Sequence, residues 1–332
     1  MAPEITTTIQ MEEYLNLHSI SHTSIDPLTA GGTNYSWMIT APDSSKSIVK
    51  HATPHLKILP HVSLPIERLE YEANAISTLS GLSLRSLTGD HIGVPTILHF
   101  NPKAHVLQIP NVGSRNLVEA FTSPELDMTL LGARIGKFLA DLHSLPAELK
   151  VGNNQLVKLA TQHCTQHLPR VLRERGYDDT VGARILDMLF DGQEDVSCQC
   201  HGDFLHSNIV VADSEGPSPK LTVIDWEWTR RGNGVLDVGL FAGEIWLMEY
   251  AHGKRGLLGA FLAAYVETRP LDSRDKLLAA ARFAAHITYW ATQVKWKEAE
   301  HSLDMSYRLL QKVLERDILW LRDSPIKRIF LD

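Results

Sequence analysis

A chain of 332 residues, 44% hydrophobic and 21% charged, suits two domains or one large two-lobed unit, and this apolar content argues against a disordered or low-complexity class. A formal charge of −7 argues against nucleic acid or anionic lipid as the main partner and is compatible with a cationic substrate. The three cysteines cannot make a disulfide framework, no run approaches the ~18 apolar residues of a membrane span, and the first residues lack a basic region followed by an apolar one, so a cytoplasmic protein without membrane contact is expected.

Two β-prone runs come first, residues 34–41 (NYSWMITA) and 47–51 (SIVKH), separated by the hairpin-like connection PDSSK. A helix is predicted from Pro65 onward, where Ile66, Leu69, Ala73, Ile76 and Leu79 recur at helical spacing. Residues 94–100 (VPTILHF) and 104–109 (AHVLQI) read as another strand pair, joined by Asn101, Pro102 and Lys103. Counting SIVKH as the third strand run, the expected order is three strands, one helix and two strands.

After Gly113 the pattern turns helical. Leu131, Ile135, Phe138, Leu142 and Leu145 form one apolar stripe, with Ser123-Pro124-Glu125 upstream as a helix start. The helical run breaks at about residues 196–226, where the short strands NIVVA and LTVI flank the loop DSEGPSPK. Helices are predicted again over about 256–268, 273–297 and 301–322, and no internal repeat is present. The fold class that follows is α+β in two lobes. A small β-rich N-lobe with one helix takes residues 1–112, and a larger, mostly helical C-lobe takes 113–332.

The stretch His201-Gly202-Asp203-Phe204-Leu205-His206-Ser207-Asn208 carries a carboxylate and a carboxamide five residues apart on a loop between strands. Asp225, at the end of the next strand run, is followed two residues on by Glu227, and in an extended segment both point the same way. Such hard oxygen ligands suit Mg²⁺, with substrate phosphates completing the coordination. Asp-x4-Asn, then Asp after a hairpin, is the arrangement by which kinases place a catalytic Asp (Asp203), a metal-binding Asn (Asn208) and a metal-binding Asp (Asp225).

HGDFLHSN and VIDWEW resemble the catalytic-loop and metal motifs of the aminoglycoside phosphotransferase/choline kinase family, whose fold is protein-kinase-like. His-Gly-Asp stands in place of His-Arg-Asp and Asp-Trp-Glu in place of Asp-Phe-Gly, with no Ala-Pro-Glu segment, which speaks against a protein substrate. The resemblance implies transfer of the γ-phosphoryl group of ATP to a hydroxyl of a small molecule. VKHATPHL, ERLEYEANAI and AAHITYW look most like the 5-methylthioribose kinase-like branch, which includes kinases of hydroxytryptamines. A methylthioribose-, aminoglycoside- or hydroxytryptamine-like acceptor is implied. The alternatives are an amino-alcohol kinase of the choline/ethanolamine type and a nucleotide-binding scaffold without turnover.

The resemblance places the remaining kinase parts upstream. Lys50 ends the strand run SIVKH, where it would hold the α- and β-phosphates. Its glutamate partner lies on the following helix, which offers Glu67, Glu70 and Glu72. At ~100° per residue Glu72 falls about 50° from the centre of the apolar stripe and the other two much farther, so Glu72 is selected. Gly31, Gly32 and Asn34 match the family's Gly-Gly-x-Asn phosphate loop. The segment after the fifth strand is the adenine hinge, and since Pro110 has no N–H, Ile109 and Val112 are the expected backbone contacts. His201 and Asp237, the latter in Leu236-Asp237-Val238-Gly239, would brace the catalytic loop from behind, and GKFLADLHSL resembles the helix that supports it.

In related kinases the acceptor lies between the catalytic loop and the C-terminal helices. His286, Tyr289, Trp290, Gln293 and Trp296 share one face of the 273–297 helix, so Trp290 and His286 are expected to line that site, with Trp246 as a further candidate. His163, Cys164 and His167 lack a third metal ligand, and Cys198-x-Cys200 lacks knuckle spacing, so these read as structural. Arg230 and Arg231 read as exposed side chains.

Overall fold

Alternation along YSWMIT and KSIVKH sends Trp37, Ile39 and Val49 to one side of a sheet and Ile48 and Lys50 to the other. The computed structural model describes residues 4–81, 91–146, 148–149, 151–154, 166–193, 197–213, 216–293 and 299–331. Its first sheet is antiparallel with order β1 (Ser24–Leu28), β2 (Tyr35–Thr40), β3 (Lys46–His51), β6 (Val106–Pro110), β5 (His99–Asn101). One face packs against α1 (Thr8–Leu17) through Met11, Tyr14 and Leu15, and the other against α2 (Arg68–Gly81) through Leu69, Ala73 and Ile76.

The helix α1 is additional to the predicted order. Its start is nonetheless written in the chain: Thr7 and Gln10 form a capping box, each side chain bonding the other's backbone. The helix α2 begins three residues later than Pro65, because the Pro65 carbonyl accepts from the Arg68 guanidinium and not from a helical N–H. The strand predicted over 94–100 is reduced to β5, since Pro95 has no N–H for a ladder. Just before it, β4 (Ile92–Gly93) pairs in parallel with β10 (Leu221–Val223) in a second sheet, order β4, β10, β9 (Ile209–Val211), β7 (Arg115–Asn116). A third, two-stranded sheet joins β8 (Cys198–Cys200) to β11 (Arg230–Gly232).

Helices build the rest of the C-lobe: α3 (Leu117–Ala120), α4 (Met128–His143), α5 (Leu168–Glu174), α6 (Asp179–Gln193), α7 (Val235–His252), α8 (Leu257–Thr268), α9 (Ser273–Gln293), α10 (Ala299–Glu315) and α11 (Ile318–Leu321). The α4 stripe of Leu131, Ile135, Phe138 and Leu142 is buried in the main core, as its period requires. Its cap is Asp127, which accepts from Leu130 N, and not the upstream Ser123. The helix predicted over 301–322 is two helices, interrupted at Arg316 (φ 54°) and restarted by Asp317 as the cap of α11. Among the described residues no helix is long and apolar enough to cross a membrane.

Candidate active site

Strand β8 delivers the chain into the catalytic loop at His201, and the next residue can only be glycine. Gly202 has φ 88°, and a Cβ there would run into the Trp228 carbonyl oxygen. Behind the turn, Asp237 at the start of α7 is 2% exposed and accepts from His201 N at 2.8 Å and Gly202 N at 3.2 Å. His143, at the end of α4, lies 3.4 Å from the same carboxylate and shares its other ring nitrogen with the Tyr265 hydroxyl at 2.8 Å. Burial would raise the Asp237 pKa, but the hydrogen bond with His143 and the positive charge of Arg230 hold it below the usual carboxylate range.

The His201 ring is fixed at both nitrogens. Nε2–H donates to the Ile224 carbonyl at 3.0 Å, so Nδ1 is the acceptor for Asp203 N–H at 3.3 Å. Burial lowers its pKa and keeps it neutral, as this bonding requires. The ring thereby ties the backbone of Asp203 to the strand end that leads to Asp225. The Asp203 carboxylate accepts from Asn208 Nδ2 at 3.3 Å, and the same amide reaches the Asp203 carbonyl at 3.0 Å. Burial, reinforced by the Asp225 charge, pushes the Asp203 carboxyl up to about 7, the range in which a general base is most effective at neutral pH.

From the N-lobe, Lys50 Nζ donates to both Glu72 oxygens at 2.8 and 3.1 Å and to Asp225 Oδ1 at 2.6 Å. Glu72 is fully buried while Glu67 and Glu70 are exposed, as the helical geometry required. Burial would lower the lysine pKa, but Asp225, Glu72 and Glu227 outweigh it and keep Lys50 charged. Asp225 and Glu227 reach the site differently from the extended geometry expected. Asp225 adopts φ 68°, and a 3-10 turn, Trp226–Trp228, follows. Trp226 anchors this turn by packing on Phe138 and His201, with its indole N–H on the Val223 carbonyl at 2.9 Å.

Glu227 is fully buried. Its Oε2 accepts from Asn34 Nδ2 at 2.7 Å and lies 3.4 Å from Arg68 Nε, while Oε1 has no hydrogen-bond partner among the described residues. Burial and then the Asp225 charge raise its pKa to about 8. A buried carboxylate oxygen left without a donor is costly. Like the Asp225 carboxylate and the Asn208 amide oxygen, it is a hard oxygen donor of the kind that suits a divalent cation such as Mg²⁺. Gly31 (φ 87°) and Gly32, expected in the phosphate loop, lead into Asn34, with the Gly32 carbonyl held by Ile58 N at 3.2 Å.

Arg68 was not anticipated. It lies one turn before Glu72 on α2 but about 90° from the centre of the apolar stripe, nearly as far as Glu70, so the test that selected Glu72 does not single it out. Its Nε donates to Asn34 Oδ1 at 2.9 Å, and its NH1 and NH2 groups reach the carbonyls of Thr53, Pro65 and Thr33. Arg230 is a correction. It is 2% exposed, because pairing of β11 with β8 tucks it inside, where its charge supports Asp237. Arg231 is half-buried. In the segment expected to be the hinge, Ile109 is buried, Val112 is half-buried and Asn111 N donates to the Lys46 carbonyl at 2.9 Å.

Beside the catalytic loop, Glu244 of α7 accepts from His206 at 3.1 Å and from His286 of α9 at 2.5 Å. Trp290, 39% exposed, sets its ring edge-on to His286. Trp246 is buried, stacked on Tyr250 and edge-on to Phe283, so its packing is that of a core residue. Trp296, His163 and Cys164 lie outside the described residues. Cys198 and Cys200 are buried with their sulfurs 4.0 Å apart.

The family model described as "Phosphotransferase enzyme family" matches residues 117–298, a span that contains HGDFLHSN and VIDWEW. The 4-hydroxytryptamine kinase of Psilocybe cubensis is 26% identical over 92% of this chain and 91% of its own length. Among solved structures, an ADP-bound aminoglycoside phosphotransferase superposes with a TM-score of 0.51 at 13% identity, covering 92% of this chain and 99% of the other. A GDP and kanamycin complex of a related phosphotransferase gives 0.54 at 11% identity, covering 94% and 100%. The chain belongs to the phosphotransferase enzyme family and is a small-molecule kinase on a protein-kinase-like frame.

Proposed function

We propose that the protein transfers the γ-phosphoryl group of ATP, with Mg²⁺, to a hydroxyl of a small molecule. The observation that carries this reading is the convergence of Lys50, held between Glu72 and Asp225, with the loop of Asp203 and Asn208. Asp203 orients the acceptor hydroxyl and takes its proton. Lys50 positions the α- and β-phosphates beneath the loop of Gly31, Gly32 and Asn34, and the adenine meets backbone groups of Ile109 and Val112. Asn208, Asp225 and Glu227 would hold Mg²⁺, which supplies charge neutralisation on the phosphates. His201 and Asp237 keep the loop in register.

The acceptor side favours a small ring carrying an amine. Trp290 and His286 offer an aromatic edge, and the Glu244 carboxylate lies between two histidines whose pKa values burial lowers. The similarity to a 4-hydroxytryptamine kinase supports the same choice, ahead of methylthioribose, aminoglycosides and amino alcohols such as choline or ethanolamine. A coupled ATP-consumption assay across these acceptor classes tests it. The expected result is highest kcat/KM for a hydroxylated aromatic amine, and a preference for any other class overturns the acceptor reading.

A further inference from the structure

We infer that Arg68 is a positioning residue that couples the phosphate loop to the metal site, so that nucleotide closure and metal loading assist each other. The inference rests on the reading of Asp225 and Glu227 as metal carboxylates. Arg68 is 2% exposed and spends its donors in three directions. Nε meets Asn34 Oδ1 at 2.9 Å and Glu227 Oε2 at 3.4 Å. NH2 meets the Thr33 carbonyl at 3.3 Å, and NH1 meets the carbonyls of Thr53 at 2.8 Å and Pro65 at 2.9 Å. Asn34 closes the circuit by donating to Glu227 Oε2 at 2.7 Å. One guanidinium therefore holds the loop backbone, the loop's asparagine and the second carboxylate of the metal segment in one rigid fork.

The orientation of Glu227 follows. With Oε2 committed to Asn34 and Arg68, Oε1 is the oxygen left over, and it has no partner among the described residues. Glu72, Asp225 and Glu227 face Lys50 and Arg68, three carboxyl groups against two cations, and a bound divalent cation would favour the ionised form of Glu227. Any shift of the loop at Thr33 and Asn34 displaces the two groups that aim Glu227. A residue that orients a metal ligand from behind in this way typically changes metal affinity by about 10–100-fold when removed. Lysine cannot reproduce the fork, because it offers one nitrogen where the guanidinium offers three.

The test is calorimetric and needs no turnover: ADP binding is measured with and without Mg²⁺ on the full chain. For the wild type, Mg²⁺ should strengthen ADP binding. Arg68→Met should lose most of that enhancement, roughly tenfold or more, with metal-free ADP binding much less affected. Arg68→Lys, which keeps the charge without the fork, should fall between the two. Asn34→Leu severs the bridge while leaving Arg68 in place, and should lose the enhancement too. It also carries the test if Arg68→Met does not fold. A merely structural Arg68 predicts lowered melting temperatures with the Mg²⁺ enhancement intact in every folded variant, and that result overturns the coupling. If the wild type itself shows no enhancement, the metal assignment falls first and the coupling with it.

Discussion

Gly202 separates this loop from that of the protein kinases, which carry arginine at the same place. A left-handed backbone angle and the Trp228 carbonyl both exclude a side chain, while Asp237 collects the His201 and Gly202 amides from behind. Gly202→Ala should therefore cost about 2 kcal/mol or more and lower the melting temperature by several degrees. An unchanged melting temperature would show that the turn relaxes freely and that the loop is not held as described. Glu72 was legible in the chain because helical geometry alone separates it from Glu67 and Glu70. Arg68 lies about 90° from the stripe centre, and its partners Asn34 and Glu227 are remote in sequence, so no local period signals its contact between lobes.

At the scale of elements, the segment leading into α1 is joined to β3 by His51. Its Nε2 accepts from Ile5 N at 3.0 Å and its Nδ1 donates to the Ala104 carbonyl at 3.1 Å, so the ring must be neutral in the fold. Burial above all lowers its pKa from 6.5 to about 4. Below pH 6.5 the unfolded chain takes up this proton before the folded one does. The contribution is thus present in full above about 6.5 and is lost as pH falls toward 4, up to roughly 3 kcal/mol. Melting temperatures measured from pH 7 to 5 should fall more steeply for the wild type than for His51→Gln. Parallel curves would remove His51 from the account.

Helix α9 offers a second element-scale test. Trp290 is exposed enough that Trp290→Leu should leave the melting temperature and the ATP KM nearly unchanged while raising the acceptor KM or altering acceptor preference. A loss of several degrees without a selective effect on the acceptor would move the pocket elsewhere. Trp246, the further candidate from the segment before this helix, is buried against Tyr250 and Phe283. The signal for α1 was its capping box and not its period, and the strand around Pro95 failed for want of an N–H.

On the scale of the whole molecule, the five-stranded sheet and α2 bring Lys50, Glu72 and Arg68 to the edge of the C-lobe. There β8, β9 and β10 present Asp203, Asn208, Asp225 and Glu227. The lobe-level architecture was readable because strand alternation and helical stripes dominate different parts of the chain. The left-handed turn at Asp225 was not, since it is set by Trp226 anchoring into a core assembled from distant segments. The central claim is that Asp203 serves the acceptor hydroxyl and not the nucleotide. The most direct measurement is phosphoryl transfer by Asp203→Asn on the best acceptor, with Mg·ATP affinity determined on the same preparation. The account predicts loss of transfer with affinity within a few-fold of wild type. A variant that keeps more than about a tenth of wild-type turnover would contradict it.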